Sequence, residues 1–264
     1  AAGKIDFNMG GNLFAQFNYT QANVPMATIA AIFQKEPQVL LAHPDTGVQE
    51  LADLDEKTFF ISSDGLQTFW LWLKQVYGFS DDQVKPYTFN PAPFLADQNS
   101  VQQGYVTSEP FAVKKEGGFE PVVLMMADYG YDTYSTTLET SQKLIDENPD
   151  LVQRFVNATI EGWYNYLYGD NAKANALIKA DNPEITDEQI AFSIEALKKY
   201  GIVDSGDALT MGIGAMTDAR WESFFTKSVV WGVYPPDLPY KTGYTTRFVN
   251  QGHGLDLRKQ LTGE

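Results

Sequence analysis

Up to about residue 137, short β-branched and apolar runs alternate with amphipathic segments; beyond it helical patterns dominate. This alternation constrains the fold more than any other feature. Strands that alternate with helices are joined by crossovers, and so build α/β sheets with parallel pairing. The pattern predicts strands at 4–10, 26–33, 39–42, 57–61, 84–89 and 103–107, with a further apolar run at 121–126. Helices are predicted at 13–21, 94–99 and from Ser108-Glu109-Pro110 to Gly117. Another carries Phe69, Trp70, Leu73 and Val76, whose spacings of one, three and four bury one face. After residue 137 helices are expected over 144–168, broken at Asn148-Pro149, and over 171–180, 186–200 and 212–227. Thr186-Asp-Glu-Gln189 matches a capping box. The segment 244–249 reads as extended, followed by a polar tail.

The change of architecture falls on Ala127-Asp-Tyr-Gly-Tyr131-Asp-Thr-Tyr134-Ser-Thr-Thr137. Its phenols offer flat faces for stacking and O–H groups for orientation, which suits a small, planar, polar ligand; otherwise they line a loop and cover core. Two turns open helices directly after strands. At Gly10-Gly11-Asn12 the backbone N–H groups are expected to be open to a ligand. Ser62-Ser63-Asp64 can cap a helix, meet a ligand, or do both. Glu109 stands at a helix start, where a carboxylate is favoured by the dipole; its functional role would be to accept from an amine or a ring N–H. Gly212-Ile-Gly214 lacks the further glycine of a dinucleotide fingerprint.

Composition narrows the function classes. A chain of 264 residues buries a sizeable core and lies where single cores begin to split. Hydrophobic residues at 44% exclude disorder. A net charge of -15 argues against nucleic acid or an anionic membrane as partner, since both need a basic footprint. With no cysteine and only His43 and His253, no metal, cofactor or serine-type triad is expected, and both histidines are read as structural or solvated. No apolar run is long enough to span a bilayer and no signal segment is visible. The opening residues read as a helix-to-strand connection, so an earlier part is expected to be missing.

In order along the chain, the motifs at 2–7, 31–37 (Ala-Ile-Phe-Gln-Lys-Glu-Pro), 51–54 (Leu-Ala-Asp-Leu), Ser108-Glu109-Pro110 and Tyr131-Asp-Thr-Tyr134 resemble the solute-binding proteins of ABC transporters. The branch they resemble binds the thiamine pyrimidine precursor, with nitrate, sulfonate and taurine binders as cousins. The resemblance implies a type II periplasmic-binding fold: two α/β lobes, 1–45 with 126–264 and 46–125, joined by two crossovers, the ligand in the cleft and the first strand-helix-strand missing. It implies a binding module that closes on its ligand by a hinge and delivers it to a membrane permease, as a monomer, periplasmic or extracellular and membrane-associated, without nucleic acid and without a catalytic residue.

Carried onto this chain, the ligand-binding residues are Gly11, Asn12, Ser62, Ser63, Asp64 and Glu109, with Tyr131, Tyr134 and Trp163 as an aromatic wall. None of these is cationic, which favours a neutral or cationic heterocycle over a sulfonate or nitrate; a flavin-type ligand and a sensory ectodomain are the alternatives. Enzymes that make the thiamine pyrimidine share the fold but rely on histidine and a cysteine-rich motif, and this chain has no cysteine.

Overall fold

Residues 4–263 are described by a computed structural model, in which the contacts group the chain into two units. The first comprises 1–36, 133–226 and 236–264, and the second 37–132 and 227–235. The borders drawn from sequence lie at 45 and 125.

The elements in chain order are β1 (Phe7–Met9), α1 (Leu13–Gln21), β2 (Met26–Phe33), β3 (Gln38–Ala42), β4 (Thr58–Ile61), α2 (Ser63–Leu66), α3 (Phe69–Tyr77), β5 (Val84–Pro86), α4 (Ala92–Ala96), β6 (Ser100–Tyr105), α5 (Glu109–Gly117), β7 (Val122–Met125) and β8 (Ser135–Ser141). Helices α6 (Gln142–Glu147), α7 (Pro149–Tyr168), α8 (Ala172–Asp181), α9 (Asp187–Lys199), α10 (Ala208–Met211), α11 (Asp218–Val230) and α12 (Leu255–Thr262) follow.

In the first unit the sheet runs β1-β8-β2, and both outer strands pair antiparallel to β8. Of the parallel or mixed pairing expected for the two lobes, this sheet shows antiparallel pairing: β1 and β2 run the same way, but the strand between them is the one the chain makes on its return. That strand is the largest omission of the sequence reading. Its residues, Ser-Thr-Thr-Leu-Glu-Thr-Ser, look like a polar loop, yet Thr137, Glu139 and Thr140 are fully buried because a central strand has no solvent face at its middle. Around it, Phe14 and Phe17 of α1 meet Phe224 and Trp221 of α11, and Trp221 stacks on Tyr244 at 4.2 Å.

Helix α7 buries Val152, Val156, Ile160, Tyr164 and Leu167 at helical spacing, whereas Phe155 is 38% exposed. The polar tail forms α12, which packs on α7. Asp204 joins the two, accepting from Arg258 Nε at 2.7 Å and from Tyr168 O–H at 2.8 Å.

The second unit holds a five-stranded sheet, β5-β4-β6-β3-β7, parallel across β5-β4-β6 and antiparallel at β3. One face packs Phe59 on Trp70 and Phe79. On the other, His43 Nε2 lies 2.8 Å from the Phe94 carbonyl, a structural histidine as its sequence context suggests. Val76 of α3, assigned to the buried face, is 44% exposed, because α3 ends one residue later at Gly78 in the left-handed region (φ +76°). Among the described residues no helix is long and apolar enough to cross a membrane.

Candidate functional site

In the second unit, β4 and β6 run parallel as neighbours and end side by side, with Phe60 opposite Gln102. The Ser62 turn continues β4, and Glu109 opens the helix that follows β6. Two contacts fix this edge. Gln103 Oε1 accepts from Ser62 N at 2.6 Å, and Ser62 Oγ caps α2 by accepting from Gly65 N at 3.2 Å. Gly104 has no side chain because Glu109 fills that space; an added Cβ would lie 2.7 Å from Glu109 Cβ.

The Glu109 carboxylate accepts from Tyr105 N at 2.7 Å. Burial raises its pKa, against the lowering effect of the backbone hydrogen bonds from Tyr105 and Glu109. The structure therefore brings Ser62, Ser63, Asp64 and Glu109 to one sheet end. Gln103, which pins that turn, was not singled out in the sequence.

The first unit gathers its polar residues at the corresponding end of its sheet. Asn12 follows β1, Gln34 to Glu36 follow β2, and Thr133 to Ser135 lead into β8. Because β1 and β2 both oppose β8, these three segments converge. Several amides at and after the Gly10-Gly11-Asn12 turn, which the sequence suggested would be open, are engaged within the protein. Leu13 N donates to Thr133 Oγ1, Phe14 N to Asn12 Oδ1 and Gly10 N to the Thr137 carbonyl. The Gly11 carbonyl accepts from Thr137 N at 3.2 Å. What the turn offers is the Asn12 amide, whose Nδ2 lies 3.3 Å from Glu36 Oε2. Ser135 Oγ approaches the other Glu36 oxygen at 3.4 Å.

Glu36, within the 31–37 motif, was not singled out from sequence. It is 1% exposed. A carboxylate standing alone between two apolar strands was the available signal, since a charge that serves only solubility has no reason to be buried. Arg220 was also missed. Its guanidinium donates to the Gln34 carbonyl at 2.5 Å and stacks over the Tyr134 ring at 4.1 Å, so a cation does belong to this end of the sheet.

The aromatic wall is corrected. Tyr131 has no exposed surface and packs on Trp72, with ring centroids 5.1 Å apart, in the second unit. Tyr134 is equally buried in the first unit; one face is covered by Arg220, and its oxygen accepts from Thr217 N at 3.1 Å. Trp163 lies on α7, edge-on to Phe33 at 5.7 Å, and lines an apolar surface groove of about 470 Å³ with Tyr166 and Ile178. The tyrosine-rich stretch supplies packing because aromatic rings at a chain crossing bury more area than any other side chain there.

Beneath the first turn lies a second buried carboxylate, Glu139, which accepts from Asn8 Nδ2 at 3.0 Å and Thr137 Oγ1 at 3.1 Å. Gly10 is obligatory beside it, since an added Cβ would come within 2.0 Å of Glu139 Oε1. Burial is the main cause of its raised pKa, outweighing those two hydrogen bonds. A group whose folded pKa is raised stabilises the native state fully below its unfolded pKa, and that contribution is lost as pH rises through the folded value. Wild-type stability should therefore fall from about pH 4 upward relative to Glu139→Gln. Thermal unfolding across that range checks this, and parallel profiles would refute it.

No group of three or more metal-ligating side chains occurs among the described residues.

A sequence model for the family described as NMT1/THI5 like matches residues 1–174. The riboflavin-binding protein RibY of Chloroflexus aurantiacus is 27% identical over 147 residues, 54% of this chain, and the match spans only 41% of that relative. Among solved structures, the alkanesulfonate-binding protein SsuA from Xanthomonas axonopodis pv. citri, bound to MOPS, superposes with a TM-score of 0.62 at 13% identity, covering 92% of this chain and 81% of that one. The desulfurization enzyme DSZB superposes with a TM-score of 0.57 at 13% identity, covering 95% and 85%. At such identities the likeness is one of fold, that of the periplasmic binding proteins.

Proposed function

Because the chain belongs to the NMT1/THI5-like family, we propose that it is the solute-binding component of an ABC importer, which captures a small N–H-bearing heterocycle without turning it over and hands it to a membrane permease. It works outside the cytoplasmic membrane, in the periplasm or at the cell exterior. The thiamine pyrimidine precursor is the first candidate ligand.

One observation carries this reading: in each unit the polar residues collect at the carboxyl ends of strands that run the same way. Ser62 and Glu109 follow β4 and β6, and Asn12 and Glu36 follow β1 and β2. Ligands of open α/β sheets bind outside those ends, where successive chain turns converge. Each of the two ends holds a carboxylate, an acceptor suited to amine and ring N–H groups. RibY, a binder of a heterocycle by its name, supports that class. DSZB has the same fold and is an enzyme, so fold alone does not decide the absence of turnover; the lack of cysteine and of any histidine among the strand-end residues does favour binding.

Isothermal titration with an aminopyrimidine, riboflavin and an alkanesulfonate tests the proposal. Saturable one-to-one binding of a heterocycle, recovered unchanged by mass spectrometry, is the expected result. Failure to bind any of the three, or conversion of a bound compound, would overturn it.

A further inference from the structure

We propose that the first unit carries a second ligand site, a cavity at the amino ends of β1 and β2 that takes a small organic ammonium ion with an apolar body. It lies away from Asn12 and Glu36, which follow the carboxyl ends of the same two strands. The inference goes beyond the capture function and stands whether or not the strand ends bind a heterocycle.

The cavity has a volume of about 690 Å³, inside the range of roughly 300–1,000 Å³ usual for small-molecule sites. Three pieces of chain wall it. The start of β1 supplies Asp6 and Asn8, the end of α1 with its link to β2 supplies Tyr19 and Met26, and α6 supplies Leu144 and Glu147. Hydrogen bonds tie these walls together. Gln142 N donates to the Pro25 carbonyl at 2.9 Å, Val24 N to the Tyr19 carbonyl at 2.9 Å, and Thr140 Oγ1 to the Asp6 carbonyl at 2.6 Å. The cavity is therefore preformed, and a ligand entering it has no loop to order.

Its polar lining is rich in acceptors. In the register of β1 on β8, Asn8 lies opposite the fully buried Glu139 and gives it Nδ2 at 3.0 Å. What the Asn8 amide holds for a ligand is then Oδ1, an acceptor. Asp6 and Glu147 add carboxylates. Tyr19 brings a phenol that stays protonated at neutral pH, since burial, and after it the Glu139 charge, raises its pKa.

Donors are fewer. Leu144 N, at the start of α6, is taken by Ser141 Oγ at 3.1 Å. Lys143 lies 3.9 Å from Glu147, one turn along the same helix. An anion would meet more carboxylate than cation here, whereas an ammonium meets acceptors with the Glu139 charge behind them. Val24, Pro25, Met26 and Leu144 supply the apolar lining that would hold the ligand's body.

Isothermal titration with phenethylammonium chloride, against phenylacetate as an anion of similar size, tests the proposal. Isotope-labelled methionine methyl signals locate the binding, because Met26 lines the cavity. Phenethylammonium should saturate the protein below about 10 mM and shift the Met26 methyl, and phenylacetate should bind at least about 10-fold more weakly. Asp6 is exposed, so Asp6→Asn should weaken the ammonium only about two- to fivefold, the loss of one surface charge pair. Leu144→Trp sets a ring into the cavity from a half-exposed position and should abolish binding; Asp6→Asn serves if that variant does not fold. No saturable binding of phenethylammonium, a Met26 methyl unmoved at saturation, or an affinity unchanged in both variants would overturn the site. Equal affinity for phenylacetate would overturn its preference for a cation. Either result leaves the capture function standing, since its ligands are titrated separately.

Discussion

Arg258→Ala lowers stability by about 3 kcal/mol, the lower part of the range for stripping one partner from a buried ion pair. The Asp204 carboxylate is 3% exposed, and its Oδ2 accepts from both Arg258 Nε and Tyr168 O–H. Its Oδ1 is buried with no hydrogen-bond partner. Removing the guanidinium leaves that charge facing a phenol, one of whose neighbours, Tyr164, is itself engaged by Ile213 N at 3.1 Å.

The figure is placed low because the Arg258 side chain keeps 19% of its exposure and water can partly replace it. Arg258→Lys should recover part of the loss, since it restores the charge but not the planar fork. Urea unfolding gives the free energies, and hydrogen exchange in α12 gives the location. A change under about 0.5 kcal/mol would mean that α12 is held by its apolar contacts alone.

Trp221→Ala is expected to cost about 4 kcal/mol, within the range for truncating a fully buried aromatic. The indole is completely buried, stacked at 4.2 Å on Tyr244 and edge-on to Phe17 at 6.0 Å. It joins α1, α11 and the segment after residue 236, three pieces of chain that are distant in sequence. Trp221→Phe should cost much less. Nε1 of the indole is buried without an acceptor, so a phenyl ring gives up area and stacking but no hydrogen bond. Thermal unfolding of the two variants checks the ordering, and a phenylalanine variant as unstable as the alanine one would show that the N–H does have a partner.

The elements with a clear period were legible before any coordinates. Helix α1 and strand β2 fall at the residues their patterns indicate, and Thr186 caps α9 as the capping signal requires, accepting from Gln189 N at 3.2 Å. Where the pattern failed, the cause is burial against composition. β8 reads as polar, and its threonines are buried because strands pair on both of its edges. α12 reads as a charged tail because the contact that docks it, Arg258 on Asp204, is itself ionic.

The turns that follow strands and the carboxylate at a helix start were legible because they depend on a few adjacent residues, whereas the burial of Tyr131, Tyr134 and Glu36 and the placing of Arg220 over a tyrosine ring were not. Whether a tyrosine faces solvent or core depends on which distant ring it meets, and Tyr131 meets Trp72, 59 positions earlier.

By itself, then, the sequence determined the alternation of strands and helices, the exclusion of thiolate and cysteine-metal chemistry, and the family, because each is written in local order or in the inventory of residue types. Tertiary structure alone decided which polar groups share an end of a sheet. Asn12, Glu36 and Ser135 lie up to 123 positions apart, and only antiparallel pairing of β8 between β1 and β2 brings an amide, a carboxylate and a hydroxyl within hydrogen-bonding distance.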